Sequence, residues 1–135
     1  MSGTKSILIV DDEPNLRKTL ATILKRAGYV VTTAGSADEA HQLLLAGAYS
    51  LVFLDIRMPD KSGLTLLTEI RELYPDMPIV LLTAHASLES AIEAIRKGAN
   101  DYLLKPVSIS ELEEKLLAQL KKSVSRVCVV NSLYI

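Results

Sequence analysis

The chain has 135 residues, 49% hydrophobic and 23% charged, with a net charge of -1, the balance of one globular domain with a real core. That neutrality gives no electrostatic footing for nucleic acid or an anionic membrane, and a single cysteine, Cys128, excludes an internal disulfide framework. No apolar run approaches the ~18 residues of a membrane span, and Met1–Ser6 is polar, without a signal peptide's apolar centre, so a soluble, cytoplasmic domain is expected.

Ile7-Leu8-Ile9-Val10 reads as a first strand and runs straight into Asp11-Asp12. Pro14 sits where a first-turn proline is tolerated, and Leu16, Leu20, Ile23, Leu24 and Ala27 then recur at helical spacing up to Gly28. Tyr29 to Thr33 reads as a second strand. Ser36 and Glu39 have the spacing of a capping box, opening a helix with Ala40, Leu43 and Leu44 inside and Gly47 at its end. Leu51-Val52-Phe53-Leu54 is a third strand and stops at Asp55. Leu64, Leu67 and Ile70 mark the next helix, ended near Pro75. Ile79-Val80-Leu81-Leu82 stops at Thr83. Ser87 opens a helix with Ala91, Ile92 and Ile95 inward and Gly98 as its stop. Tyr102-Leu103-Leu104 runs into Lys105-Pro106, and Ser110 with Glu113 repeats the capping pattern before Leu116, Leu117 and Leu120.

Five strands and five helices in strict alternation imply an α/β fold with right-handed crossovers and helices on both faces of a parallel sheet. Continuous apolar runs fit strands buried on both faces. The domain is read as residues 1–122. Residues 123–135 are read as lying outside the core fold: a linker stub, the start of another domain, or a tail left by expression.

Ligands bind such sheets at the carboxyl ends of the strands. Three carboxylates (Asp11, Asp12, Asp55), the Thr83 hydroxyl and the Lys105 ammonium are thereby expected in one crevice. With ordinary pKa values of about 3.9, the three aspartates would repel one another at neutral pH and call for a cation. All-oxygen ligation favours a hard ion such as Mg²⁺. Taken singly, Asp12 is better explained as a helix or turn cap, Thr83 as a strand residue or local cap and Lys105 as a surface group. Their convergence favours a site.

Asp11-Asp12, Leu54-Asp55-Ile56-Arg57-Met58-Pro59 with Gly63, Thr83-Ala84, and Tyr102-Leu103-Leu104-Lys105-Pro106 together resemble the receiver (CheY-like) domain of two-component response regulators, over residues ~5 to ~122. The resemblance implies a doubly wound five-stranded parallel sheet of flavodoxin-like (βα)5 type, strand order 2-1-3-4-5. It implies a phosphorylation-activated switch: Asp55 accepts a phosphoryl group from a histidine kinase or phosphotransfer protein. Asp11, Asp12, Asp55 and the backbone carbonyl of Arg57 would hold Mg²⁺, and Lys105 and Thr83 would contact the phosphoryl oxygens. Tyr102 matches an aromatic that changes rotamer on activation. The bond between Lys105 and Pro106 is implied to be cis, an isomer that only an X-Pro bond makes cheap. Arg57 and His85 match positions that tune phosphoryl lifetime. Activated receivers commonly pair through the face of the fourth helix, fifth strand and fifth helix, so a homodimer on activation is expected, with no direct nucleic-acid contact by this domain. Thr83–Ser87 and Lys97–Tyr102 are similar to receivers fused to ATP-dependent transcriptional activators, which implies the regulatory domain of a transcriptional regulator.

Other classes fit less well. An aspartyl-nucleophile phosphatase on an α/β sheet would be a catalyst, whereas a receiver is a self-phosphorylating acceptor and not a turnover enzyme. One such superfamily needs an aspartate where Arg57 stands. A flavin carrier would need a Ser/Thr/Gly-rich phosphate loop in place of Asp11-Asp12-Glu13-Pro14. A scaffold that only binds partners would not need the full residue set present here.

Overall fold

In the computed structural model, residues 5–57, 60, 62–84 and 88–132 are described, with backbone alone for 88–91 and 121–132. The elements are β1 (Ser6–Val10), α1 (Pro14–Arg26), β2 (Val30–Ala34), α2 (Ala37–Ala46), β3 (Leu51–Asp55), α3 (Gly63–Leu73), β4 (Ile79–Thr83), α4 (Leu88–Arg96), β5 (Asp101–Leu104) and α5 (Ile109–Ser132). All strand pairs are parallel, in the order β2-β1-β3-β4-β5.

Alternate residues of each central strand feed two separate cores. Leu8, Val10, Val52, Leu54, Ile79 and Leu81 face α2, α3 and Ala94 of α4. Ile7, Ile9, Leu51, Phe53, Val80 and Leu82 face α1 and α5 through Leu20, Leu24, Leu112 and Leu116. Both faces being covered explains why β1, β3 and β4 read as unbroken apolar runs. The expected fold class and strand order are therefore those observed.

Several local expectations shift. The second strand begins at Val30, one residue later than expected, because Tyr29 still belongs to the turn after α1, its amide donating to the Leu24 carbonyl at 3.1 Å. In α4 the sheet is met by Ala94, whereas Ile92 and Ile95, expected inward, are 43% and 50% exposed. A small side chain there brings the helix close to the sheet and rotates the isoleucines outward. Ala91 and the expected cap Ser87 lie outside the described side chains and residues. The α5 cap is Ser108, whose Oγ accepts the Glu111 amide at 3.1 Å, not Ser110. This phase buries Leu112, Leu116 and Leu120 and leaves Leu117 58% exposed. The α5 backbone also continues past Lys122 to Ser132, where the side-chain pattern gave no helical reading.

The pole of the sheet opposite the strands' carboxyl ends is closed by a clamp. Arg71 of α3 donates to the Gly98 carbonyl at 2.6 and 3.1 Å and to Asn100 Oδ1 at 3.0 Å. Asn100 Oδ1 also accepts the buried Ile79 amide at 2.8 Å, and the Asn100 amide donates to the Ile79 carbonyl at 2.8 Å. Asn100→Ala strands that amide, and the urea midpoint is expected to report a loss of roughly 1–2 kcal/mol.

Candidate functional site

Strand register sets the site. Val10 pairs with Leu54, so Asp11 stands beside Asp55. Asp55 pairs with Leu82, which puts Thr83 one step further, and Thr83 pairs with Leu104, which puts Lys105 next in turn. Side chains from β1, β3, β4 and β5 thus meet at one pole, around a cavity of about 400 Å³ whose wall includes Asp12, Glu13, Asp55, Arg57, Thr83 and Lys105.

Backbone bonds fix the acids. The Asp11 amide donates to the Ala34 carbonyl at 3.1 Å, and the Asp11 carbonyl accepts from Arg17 Nη1 at 2.6 Å. Asp11 Oδ1 accepts the Glu13 amide at 2.9 Å, and Asp55 Oδ1 accepts the Arg57 amide at 3.1 Å. Each carboxylate closes the turn that leaves its own strand. The Lys105 amide donates to the Thr83 carbonyl at 2.8 Å, and the Lys105–Pro106 bond is cis.

Lys105 is the hub. Its Nζ lies 2.9 Å from Asp11 Oδ2, 3.0 Å from Glu13 Oε1 and 3.2 Å from Asp55 Oδ2. Asp11 is fully buried and Asp55 only 4% exposed. Burial opposes the Lys105 charge, but the close approach of Asp11 and Glu13 and the fields of Asp11 and Asp55 outweigh it and hold its pKa above the ordinary lysine range. For Asp55 the balance tips the other way. Burial, with the Asp11 charge, raises its pKa to about 6, and the Arg57 amide and Lys105 only partly offset this.

Such a pocket is short of positive charge. Asp11, Asp12 and Asp55 each offer an oxygen within 4.8 Å of the others. Among the described residues Asp11 Oδ2 is buried with no hydrogen-bond partner, the Lys105 ammonium standing 2.9 Å away as its ion-pair partner. A buried oxygen of this kind, beside two more carboxylates and an open cavity, fits a hard cation that keeps some of its water.

Of the residues expected at the site, Asp11, Asp12, Asp55, Arg57, Thr83 and Lys105 come together there. Tyr102 does not. It pairs with Leu81 in the sheet and packs, half-buried, on the α2–α3 core. His85 lies outside the described residues. Glu13 is the residue that sequence reasoning missed. Its signal was present, a third acid directly after Asp11-Asp12, but nothing local shows that it reaches β5.

The comparisons agree with this geometry. The family profile for the response regulator receiver domain matches residues 7–117. The response regulator protein PilR of Pseudomonas aeruginosa is 40% identical over 90% of this chain, and the chain spans only 27% of that relative's length. A CheY-like receiver domain protein from Methanospirillum hungatei superposes with a TM-score of 0.88 at 33% identity, covering 92% of this chain and 99% of the other. NtrX from Brucella abortus, solved in complex with ATP, gives 0.88 at 36% identity over 95% of this chain and 29% of its own. These likenesses favour a signalling module over an aspartyl phosphatase. With its fold and nearly its whole length matched, the chain belongs to the response regulator receiver domain family of two-component signalling.

Proposed function

We propose that Asp55 is the phosphoacceptor of this receiver, charged by a sensor histidine kinase or a phosphotransfer protein, and that the chain is a cytoplasmic switch rather than a turnover enzyme. The observation that carries the reading is Asp55 itself: a buried carboxylate at a strand end, 3.2 Å from the Lys105 ammonium and facing Asp11 and Asp12. A carboxylate oxygen attacks phosphorus, the bond from phosphorus to the donor's nitrogen or oxygen breaks, and its electron pair leaves with the donor. Such transfer asks chiefly for alignment and charge neutralisation.

Arg57 aligns the nucleophile, its amide bonded to Asp55 Oδ1. Lys105 follows the charge from the carboxylate to the new phosphoryl oxygens, and the Thr83 hydroxyl takes a second. Asp11, Asp12, Asp55 and the Arg57 carbonyl would hold Mg²⁺, which when bound supplies the remaining positive charge. Charge-assisted bonds contribute roughly 1.5–3 kcal/mol each, so Lys105 and Thr83 together provide much of the ~5.5 kcal/mol that inverts a two-state population. Arg57 and His85 tune phosphoryl lifetime, Arg57 from its place in the cavity wall.

The readout is assigned to the face of α4, β5 and α5, where Ile92, Ile95, Leu104 and Leu117 are exposed. Pairing with a second copy there on activation fits a regulatory domain of a transcriptional regulator, with nucleic acid left to another part of the protein. The test is mass spectrometry after exposure to acetyl phosphate and Mg²⁺. Wild type should gain one acid-stable, base-labile phosphoryl group and Asp55→Ala none; equal labelling of both would remove Asp55 from its role. Beryllofluoride with Mg²⁺ should also shift the amide signals of both Thr83 and Tyr102. A response confined to the neighbours of Asp55 would refute coupling to β5.

A further inference from the structure

One carboxylate outside the pocket spans two elements. Asp60, in the connection between β3 and α3, accepts the Ala37 amide on Oδ1 and the Asp38 amide on Oδ2, each at 3.0 Å. These amides open α2 and have no acceptor within the helix. The next one is served locally, Ser36 Oγ accepting from Glu39 at 3.2 Å. The end of α2 therefore has two caps, one from its own chain neighbour and one from the segment that leaves Asp55.

That segment is held elsewhere too. The Gly63 amide donates to the Ile56 carbonyl at 2.7 Å, and a side chain at Gly63 would collide with the Asp55 carbonyl oxygen. Between the closure at Gly63 and the strand end at Asp55 stands Arg57, whose amide orients Asp55 Oδ1. Ser36 caps α2 from the helix's own chain neighbour, whereas Asp60 reaches it from the β3–α3 connection, so the bidentate reach of Asp60 does more than finish a helix. A carboxylate facing a helix N-terminus is favoured by the helix dipole, which makes the tie a firm one.

We propose that Asp60 is a positioning residue for the acid pocket: by fastening the β3–α3 connection to the first amides of α2, it holds Arg57, and through it Asp55, in the arrangement that takes a divalent cation. This rests on the reading of the pocket given above. Coupling of two sites is reciprocal. A cation in the pocket therefore strengthens the hold of Asp60 on α2, and Mg²⁺ slows hydrogen exchange at the Ala37 and Asp38 amides.

The experiment is Mg²⁺ titration of this chain followed by amide NMR, on wild type, Asp60→Ala, Asp60→Asn, Ser36→Ala and Asp12→Ala, with thermal midpoints recorded alongside. Outer residues that orient metal ligands typically change affinity by about 10- to 100-fold. Asp60→Ala should lose about tenfold, the lower end of that range. Asp60→Asn, which keeps one acceptor oxygen, should fall between it and wild type. Ser36→Ala should lower the thermal midpoint and leave Mg²⁺ affinity unchanged. Wild-type affinity in Asp60→Ala, or an equal loss in Ser36→Ala, overturns the positioning role. Asp12→Ala separates the two readings: if it binds Mg²⁺ as wild type does, the pocket assignment itself fails, whereas its loss alongside an unaffected Asp60→Ala refutes only the role of Asp60.

Discussion

Replacing Lys105 with methionine is expected to cost the metal-free protein roughly 3 kcal/mol of stability near neutral pH, the lower end of what removing one partner of a buried ion pair costs. Methionine keeps most of the apolar stem, so the loss reads the charge and not the packing. The Lys105 side chain is only 12% exposed and faces three carboxylates, two of them buried. Without it Asp11 and Asp55 confront each other. The loss stays at the lower end because Asp55 already binds its proton more tightly than usual and can discharge itself. Hence the deficit should shrink as pH falls. Toward alkali the sign is fixed by the raised pKa of Lys105. Its stabilisation is complete below the unfolded value of 10.5 and disappears only as pH climbs past the higher folded value. Added Mg²⁺ should restore more stability to the variant than to wild type, since Lys105 contests the same oxygens. Urea midpoints across pH, with and without Mg²⁺, decide this; a variant as stable as wild type would mean the carboxylates do not need the ammonium.

Asp55→Asn is expected to do the opposite. A pKa raised from 3.8 to about 6, at about 1.4 kcal/mol per pKa unit, makes the ionised carboxylate a liability on the order of 3 kcal/mol in the metal-free fold. The cause is burial first and the Asp11 charge second, against the opposing pull of the Arg57 amide and Lys105. Below about pH 3.8 the acid is protonated whether folded or not, and no penalty exists. Between pH 4 and 6 the unfolded chain ionises while the fold retains its proton, so wild-type stability falls as pH rises. Above pH 6 the penalty is complete. Asparagine removes it, so the variant should be the more stable protein at neutral pH and match wild type near pH 4. Mg²⁺ should narrow the gap by stabilising the ionised aspartate. A neutral-pH gain that persists unchanged into acid would place its origin somewhere other than this carboxylate.

Most of the site was legible because its chemical residues stand at strand ends, Asp55 and Thr83 as the last residues of β3 and β4, Asp11 and Lys105 directly after β1 and β5. An apolar run that stops at Asp11, Asp55, Thr83 or Lys105 marks both the strand and its end, and parallel pairing brings such ends together. Contacts that cross the fold were not legible in the same way. Glu13 reads as a helix-start acid, and only the approach of β5 makes it a partner of Lys105. Asp60 reads as a polar turn residue, and only the docking of α2 gives it the Ala37 and Asp38 amides. Helix phase was equally out of reach where candidates compete. In α4, Ile92, Ala94 and Ile95 all suit an inner face, and the spacing to the sheet chose the alanine. In α5, the cap at Ser108 rotated Leu117 outward while keeping Leu116 in.

The direction of α5 carries a consequence of its own. It starts beside the acid pole and runs back along the sheet, so that Leu120 shares a groove with Lys5, Ser50 and Pro78 at the opposite ends of the strands. A segment joined to the end of this helix would leave the domain on the side away from the acid pocket. Besides pairing at the exposed face of α4, β5 and α5, the modification proposed at Asp55 would reach such a segment as a tilt or slide of a rod seated on Leu112 and Leu116. Stiffness of that rod then sets how faithfully an attached module obeys the switch.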